Sequence, residues 1–188
     1  MGFLLRILDR LEEILIAFLI AAATSIIFVA VLHRYLVGVP FLYPILFPID
    51  LSWAQELCIY MFVWMAKFGA AYGVRTGIHV GVDVVVNMMR PSLRKMTILF
   101  GLLCGALFTS IIGTMGAKFV YGLSQTDQVT PDMELPSWLV YLCIPLGSYL
   151  MCFRFLQVAW HYLRHDELPH HDHAYVEGVD PTATEALR

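Results

Sequence analysis

The chain has 188 residues, of which 59% are hydrophobic and 14% charged, and its mean hydropathy is +0.71. A soluble domain is about 45–50% apolar and about 25% charged, so this composition excludes a water-facing globular protein and predicts that most of the chain lies in a membrane. The formal net charge of −3, with no basic cluster interleaved with aromatic residues, predicts no nucleic-acid partner.

Four apolar stretches are each long enough to cross a bilayer, which takes about 20 residues of helix. They lie at about residues 14–36, 51–74, 96–121 and 135–162. We interpret the first as a retained span and not a signal peptide, because its apolar run is long for a signal peptide and acidic residues precede it. The predicted fold class is therefore an all-α membrane protein, with a four-helix transmembrane domain over residues 1–163 and a disordered tail over residues 164–188.

The connections between the spans differ in charge. The connection over residues 75–95 carries four basic residues, whereas the one over residues 122–134 carries none. Because cytoplasmic loops are enriched in Lys and Arg, we predict that both termini and the 75–95 connection are cytoplasmic. That connection is too short to span and too apolar for water, which predicts an interfacial segment between helices 2 and 3 in contact with lipid headgroups.

Two charged residues, Glu56 and Lys67, fall inside the second span. Their spacing places them within about 20° of the same helix face but about 16 Å apart along the axis, so they do not bond to each other. One interpretation is that Glu56 is a coupling-ion or substrate carboxylate. The other, which we favour because no second acidic residue lies at the midplane of any span, is an anchor to a partner helix or a lipid headgroup.

Small residues recur on two spans. The second span contains Gly69-x-x-x-Gly73, and the third carries small residues at four-residue spacing, from Gly101 through Gly105 and Gly113. Small side chains let helix backbones approach closely within a bilayer. The pattern fits either packing among the four helices or contact with a partner subunit.

Neither a cofactor nor a metal ion is expected. A haem would need paired histidines at membrane depth, whereas His33, His79 and His161 lie at the ends of spans or outside them. The four cysteines fall in apolar runs without a C-x-x-C pair, as buried free thiols do. We therefore predict that the chain is not an enzyme.

The order of motifs around the second span resembles a known family. Trp53-Ala-Gln-Glu56 opens the span, Trp64 and the small-residue cluster at Gly69 follow, and an R-x-G-x-H-x-x-x-D segment beginning at Arg75 closes it. This order is similar to that of the small membrane subunit of tripartite ATP-independent periplasmic (TRAP) transporters, the DctQ-type small permease. Within that family, the chain most resembles the members of the C4-dicarboxylate branch.

The resemblance implies a multi-pass protein of the bacterial inner membrane that works in a complex. Its partners would be a large membrane subunit, which holds the substrate and sodium sites, a periplasmic solute-binding protein, and membrane lipids. The chain itself would be a non-catalytic scaffold subunit of a sodium-coupled importer of organic acids. The residues expected at the interface with the partner subunit or lipid are Trp53, Glu56, Trp64, Lys67, Gly69 and Gly73. The residues expected to anchor the inner end of the span are Arg75, His79 and Asp83.

An alternative hypothesis is a self-sufficient small exporter in which Glu56 carries protons. The position of Glu56 near the edge of its span weighs against this function. A membrane enzyme is a third possibility, which bound haem or quinone would favour.

Overall fold

The computed structural model describes residues 2–76 and 91–165, and this part of the chain is helical. The helices are α1 (Gly2–Val37), α2 (Tyr43–Leu46), α3 (Ser52–Thr76), α4 (Pro91–Ser124), α5 (Ser137–Tyr141) and α6 (Cys143–His165). Within these residues β-type pairing is limited to one isolated antiparallel bridge between Val129 and Pro136.

Four segments are long and apolar enough to cross a membrane: Ile7–Val37, Ser52–Thr76, Leu93–Ser124 and Ser137–Arg164. The prediction of an all-α protein with four transmembrane helices is therefore confirmed. The predicted interfacial segment and the predicted tail fall mostly on residues 77–90 and 166–188, which lie outside the described residues.

The fourth span is made of two helices, α5 and α6, which meet at Leu142. Pro145 lies in the first turn of α6. A proline has no backbone N–H, so the carbonyl of Tyr141 lacks the helical donor four residues on. The helix is therefore interrupted just before the proline, where the sequence predicted a bend.

The long helices form a row in the order α1, α3, α6, α4, with α2 against α1 and α5 against α4. The residues buried between them are mostly small, which lets the helices lie close together without a large aromatic core. The buried hydrophobic residues include Ala23, Ala54, Cys58, Ala71, Ala106, Cys143, Val158 and Ala159.

Glycines of α4 face α6 at close range. A Cβ added at Gly105 would lie 2.8 Å from the ring of Phe155, and one added at Gly116 would lie 2.7 Å from Ile144. Gly105 and Gly113 therefore serve packing within the chain, one of the two interpretations that the sequence left open, whereas a Cβ added at Gly101 would meet nothing within 4 Å.

The row has two distinct ends. At one, which we call the charged end, the first turns of α1 meet the last turn of α3 and Arg154 in the middle of α6. At the other, the loop end, the start of α3 meets the 125–136 loop between α4 and α5. The first and last helices therefore have their terminal ends at the same end of the row.

Candidate functional site

At the charged end, Arg154 of α6 is fully buried against α1. Its Nη2 lies 2.7 Å from Asp9 Oδ1 and 2.8 Å from Glu12 Oε1. Its Nε donates to Glu12 Oε1 at 3.0 Å and its Nη1 to Gln157 Oε1 at 2.8 Å. Asp9 and Glu12 are three residues apart on a helix and so share one face, which lets one guanidinium reach both carboxylates.

Arg75, in the last turn of α3, reaches the same acidic turn of α1. Its Nη1 lies 3.1 Å from Asp9 Oδ1, and its Nη2 donates to Glu13 Oε1 at 3.0 Å. The second oxygen of Glu12 lies 3.8 Å from Arg75 Nη1 and accepts no hydrogen bond. We call the following five residues the charged cluster: Asp9, Glu12, Glu13, Arg75 and Arg154.

The charged cluster joins three helices. Breaking a buried ion pair by removing one partner costs about 3–5 kcal/mol, because the other charge stays buried. The cluster therefore fixes the relative positions of α1, α3 and α6 at this end. Its five groups carry three negative and two positive formal charges.

At the loop end, Glu56 holds the backbone of the 125–136 loop. Its Oε2 accepts hydrogen bonds from the N–H groups of Asp132 at 2.7 Å and Met133 at 2.9 Å. Its Oε1 accepts one from the hydroxyl of Tyr60, one turn further along α3. The Glu56 carboxylate is buried, and both of its oxygens bind groups of the same chain.

The loop that Glu56 holds is itself closely bonded. Thr130 donates its N–H to Leu135 O at 2.8 Å, and its hydroxyl accepts the Leu135 N–H at 3.1 Å. Glu134 has a φ of 52°, a left-handed conformation that residues other than glycine rarely adopt. This turn brings the N–H groups of Asp132 and Met133 together on the side of Glu56.

Two other predicted residues on α3 contact the fourth span. Trp64 donates its Nε1–H to Val140 O at 3.2 Å. The backbone and Cβ of Lys67 pack against Gly147, where an added Cβ would lie 2.7 Å from the Lys67 Cβ. Glu56 and Lys67 therefore have different neighbours, the 125–136 loop for Glu56 and α6 for Lys67.

The remaining predicted residues of α3 lie toward open surface. The side chain of Trp53 is 36% exposed, and a Cβ added at Gly69 or Gly73 would meet nothing within 4 Å. Contact of this surface with a partner subunit or lipid stays a prediction. The anchoring role of Arg75 also stays a prediction, and His79 and Asp83 lie outside the described residues.

Reasoning from sequence missed the partners at both ends. It used Asp9, Glu12 and Glu13 only as evidence against a signal peptide, and it gave Arg154 no role. The available signal was an acidic helical turn on α1 at the same end as the arginines of α3 and α6. Over residues 2–76 and 91–165, no group of three His, Cys, Asp or Glu side chains is arranged to hold a metal ion.

Comparison with known proteins identifies the class to which this fold belongs. The family model described as "Tripartite ATP-independent periplasmic transporters, DctQ component" matches residues 23–165. The chain therefore belongs to the DctQ family of transporter components, which confirms the resemblance seen in the motif order.

Two relatives are similar over most of their length. The C4-dicarboxylate TRAP transporter small permease protein DctQ of Rhodobacter capsulatus is 57% identical, in an alignment covering 94% of this chain and 87% of the relative. The protein of the same name from Vibrio cholerae is 34% identical, with 81% of this chain and 71% of the relative covered.

Proposed function

We propose that this chain is the non-catalytic scaffold subunit of a sodium-coupled secondary transporter that imports C4-dicarboxylates. Membership of the DctQ family and the names of the two relatives support the transporter and its substrate class. In this proposal a periplasmic solute-binding protein delivers the substrate, and a large membrane subunit holds the substrate and sodium sites. The small subunit braces the static part of that assembly and needs no cofactor.

The scaffold role is supported by one observation, the ion pairs and hydrogen bonds that the buried carboxylates make within the chain. Among the described residues, the buried acidic side chains are Glu12 and Glu56. Glu12 pairs with Arg154, and Glu56 binds Tyr60 and two backbone N–H groups of the 125–136 loop. A carboxylate that carries an ion must release its ligands in each cycle, whereas both of these are held by bonds that join helices or loops. This argues against the alternative of an exporter that uses Glu56.

The proposal includes an orientation in the inner membrane. The charged end would face the cytoplasm, because the connection that follows it carries Arg90, Arg94 and Lys95, whereas residues 122–134 carry no Lys or Arg. The 125–136 loop would then face the periplasm. A cysteine placed at Gln125, in a variant without the native cysteines, should react with an impermeant maleimide added outside spheroplasts, and protection there would reverse the orientation.

Reconstitution tests the function directly. Proteoliposomes containing the large subunit, with the binding protein and labelled succinate outside, should accumulate substrate on a sodium gradient only when this chain is present. Full uptake without it would remove the scaffold role. Proton-coupled efflux by this chain alone, abolished by Glu56→Gln, would establish the exporter instead.

The open surface of α3 gives a test of the partner contact. Gly69→Leu adds bulk where the chain itself leaves room, so the isolated chain should fold normally while the large subunit no longer co-purifies with it. Gly101→Leu on α4 is a matched control, since a Cβ added there also meets nothing within 4 Å. Co-purification undiminished by Gly69→Leu would show that this surface faces lipid.

A further inference from the structure

A pocket lies at the loop end, between the last turns of α1, the segment around α2 and the start of α3. Its volume is about 420 Å³, within the range of sites that hold small molecules. Its lining is part apolar and part polar. The apolar lining residues are Ile27, Ala30, Val31, Val37, Phe47, Ile49 and Leu51, and the polar ones are His33, Arg34, Asp50, Ser52 and Gln55. We call Ile27, Ala30 and Val31, which precede Arg34 on α1, the apolar wall, and we call the polar residues the mouth.

The pocket lies at the level where a span leaves the hydrocarbon. Arg34 is in the last turn of α1, and Ile27 is seven residues earlier, about 10 Å deeper along the helix. The segment beside it exposes large aromatic side chains, including Tyr35 at 77% and Phe41 at 83%. Exposed aromatic residues at the end of a span are typical of the membrane–water interface, so the pocket opens into the headgroup layer of one leaflet.

The mouth carries one group of each charge. Arg34 supplies a guanidinium, whose planar fork matches the oxygens of a phosphate. Asp50 supplies a carboxylate, which is fixed in place because it accepts the Ser52 N–H at 2.9 Å and the Ser52 hydroxyl at 3.1 Å. His33 is held by contact of its Nε2 with Leu46 O at 3.0 Å. The dipole of α1 favours an arginine in its last turn, and Asp50 caps the start of α3 through its bonds to Ser52. The two helix ends thus bring a cation and an anion to the lining of one pocket.

From this arrangement we infer that the pocket binds a phospholipid with a primary-ammonium headgroup, such as phosphatidylethanolamine. The phosphate lies against Arg34, and the ammonium donates to Asp50. The glycerol and the start of an acyl chain lie along the apolar wall at Ala30 and Ile27. A free dicarboxylate would leave that wall uncovered and would place a negative charge beside Asp50.

Lipid selectivity tests the inference. The full-length chain, purified with the large subunit, is exchanged into detergent containing phosphatidylethanolamine, phosphatidylcholine or phosphatidylglycerol with identical acyl chains, and retained lipid is counted by native mass spectrometry. Phosphatidylethanolamine should be retained over the other two, because the choline ammonium has no N–H to donate and the glycerol headgroup has no cation. Equal retention of the three lipids, or retention of none, would overturn the inference.

Variants assign that selectivity to the pocket. Arg34→Gln should lower phosphatidylethanolamine retention about tenfold, the effect of losing a charge-assisted hydrogen bond. Asp50→Asn should remove the preference over phosphatidylcholine, and Ala30→Phe should block retention by filling the apolar wall. Lys118→Gln is the matched control, an exposed basic residue of α4 toward the loop end. An equal loss in Lys118→Gln, or undiminished retention in Ala30→Phe, would place the lipid elsewhere.

Discussion

Replacement of Arg154 by methionine is the sharpest test of how the helix row is held together. Methionine keeps much of the length of the side chain but removes the guanidinium. The wild-type group is fully buried and forms bonds of 2.7–3.0 Å to Asp9, Glu12 and Gln157. Glu12 is 3% exposed, and without the guanidinium of Arg154 its nearest cation would be Arg75 Nη1, at 3.8 Å from one oxygen.

The expected loss is about 3–5 kcal/mol of unfolding free energy, the cost of leaving a buried charge without its partner. That is a large share of the roughly 5–15 kcal/mol that stabilises a typical protein. Arg154→Lys should lose less unfolding free energy than Arg154→Met but remain less stable than the wild type. An ammonium keeps the charge but cannot bind two carboxylates as a planar guanidinium does.

Denaturant unfolding in one detergent, followed by tryptophan fluorescence, measures the loss. A double-mutant cycle with Glu12→Gln measures the interaction energy between Arg154 and Glu12. The double variant should lose less unfolding free energy than the sum of the losses in the two single variants. Arg164→Met is the control, since Arg164 is an exposed residue of α6 at the same end, over the ring of Trp160. A loss in Arg154→Met no larger than in Arg164→Met, or strict additivity with Glu12→Gln, would refute the reasoning.

Three further predictions concern the loop end and the helix contacts. Glu56→Gln should lower the free energy of unfolding by about 1–3 kcal/mol, because charge-assisted hydrogen bonds to the 125–136 loop become neutral ones. Amide hydrogen exchange in that loop should become faster, and unchanged exchange would show that Glu56 does not hold the loop. Gly105→Ala should lower the free energy of unfolding by about 1–3 kcal/mol, because the added methyl group overpacks against α6. In the control Gly101→Ala the methyl group meets open space, so the free energy of unfolding should stay the same or rise by up to about 1 kcal/mol through helix propensity. Equal effects of the two changes would contradict the packing described. The Ser52 N–H and hydroxyl hold the pKa of Asp50 below its ordinary value. The stabilisation that these bonds give to the start of α3 is therefore complete above the unfolded pKa of about 3.9, and it is lost as the pH falls through the lower folded value. Carbon NMR titration should show that Ser52→Ala raises the pKa of Asp50.

The parts of the fold that follow from local composition were predictable. The four spans follow from runs of apolar residues, and the break before Pro145 follows from the missing N–H of proline. The shared face of Glu56 and Lys67 also followed from spacing alone, because helical periodicity is fixed over eleven residues. These features need no knowledge of which helix lies beside which.

The partners at the charged end depend on contacts between residues distant in sequence. Arg154 and Glu12 are separated by most of the chain, and no periodicity within one helix shows that α6 lies close enough to α1 for them to bond. The same limit applied to the loop partners of Glu56, which are the backbone N–H groups of Asp132 and Met133; its bond to Tyr60, four residues away on one helix, was within reach of periodicity. Backbone groups leave no mark in the residue types, so the sequence showed a charge that needed a partner without showing which one.

The row of helices also decides where a solute cannot pass. Among the described residues, α1 and α4 make too few contacts to close the row into a ring around a central lumen. Each broad side of the layer is a wall about as tall as the bilayer is thick. In the proposed complex the permeation route would therefore lie beside this row, in the large subunit that stands against one of its sides.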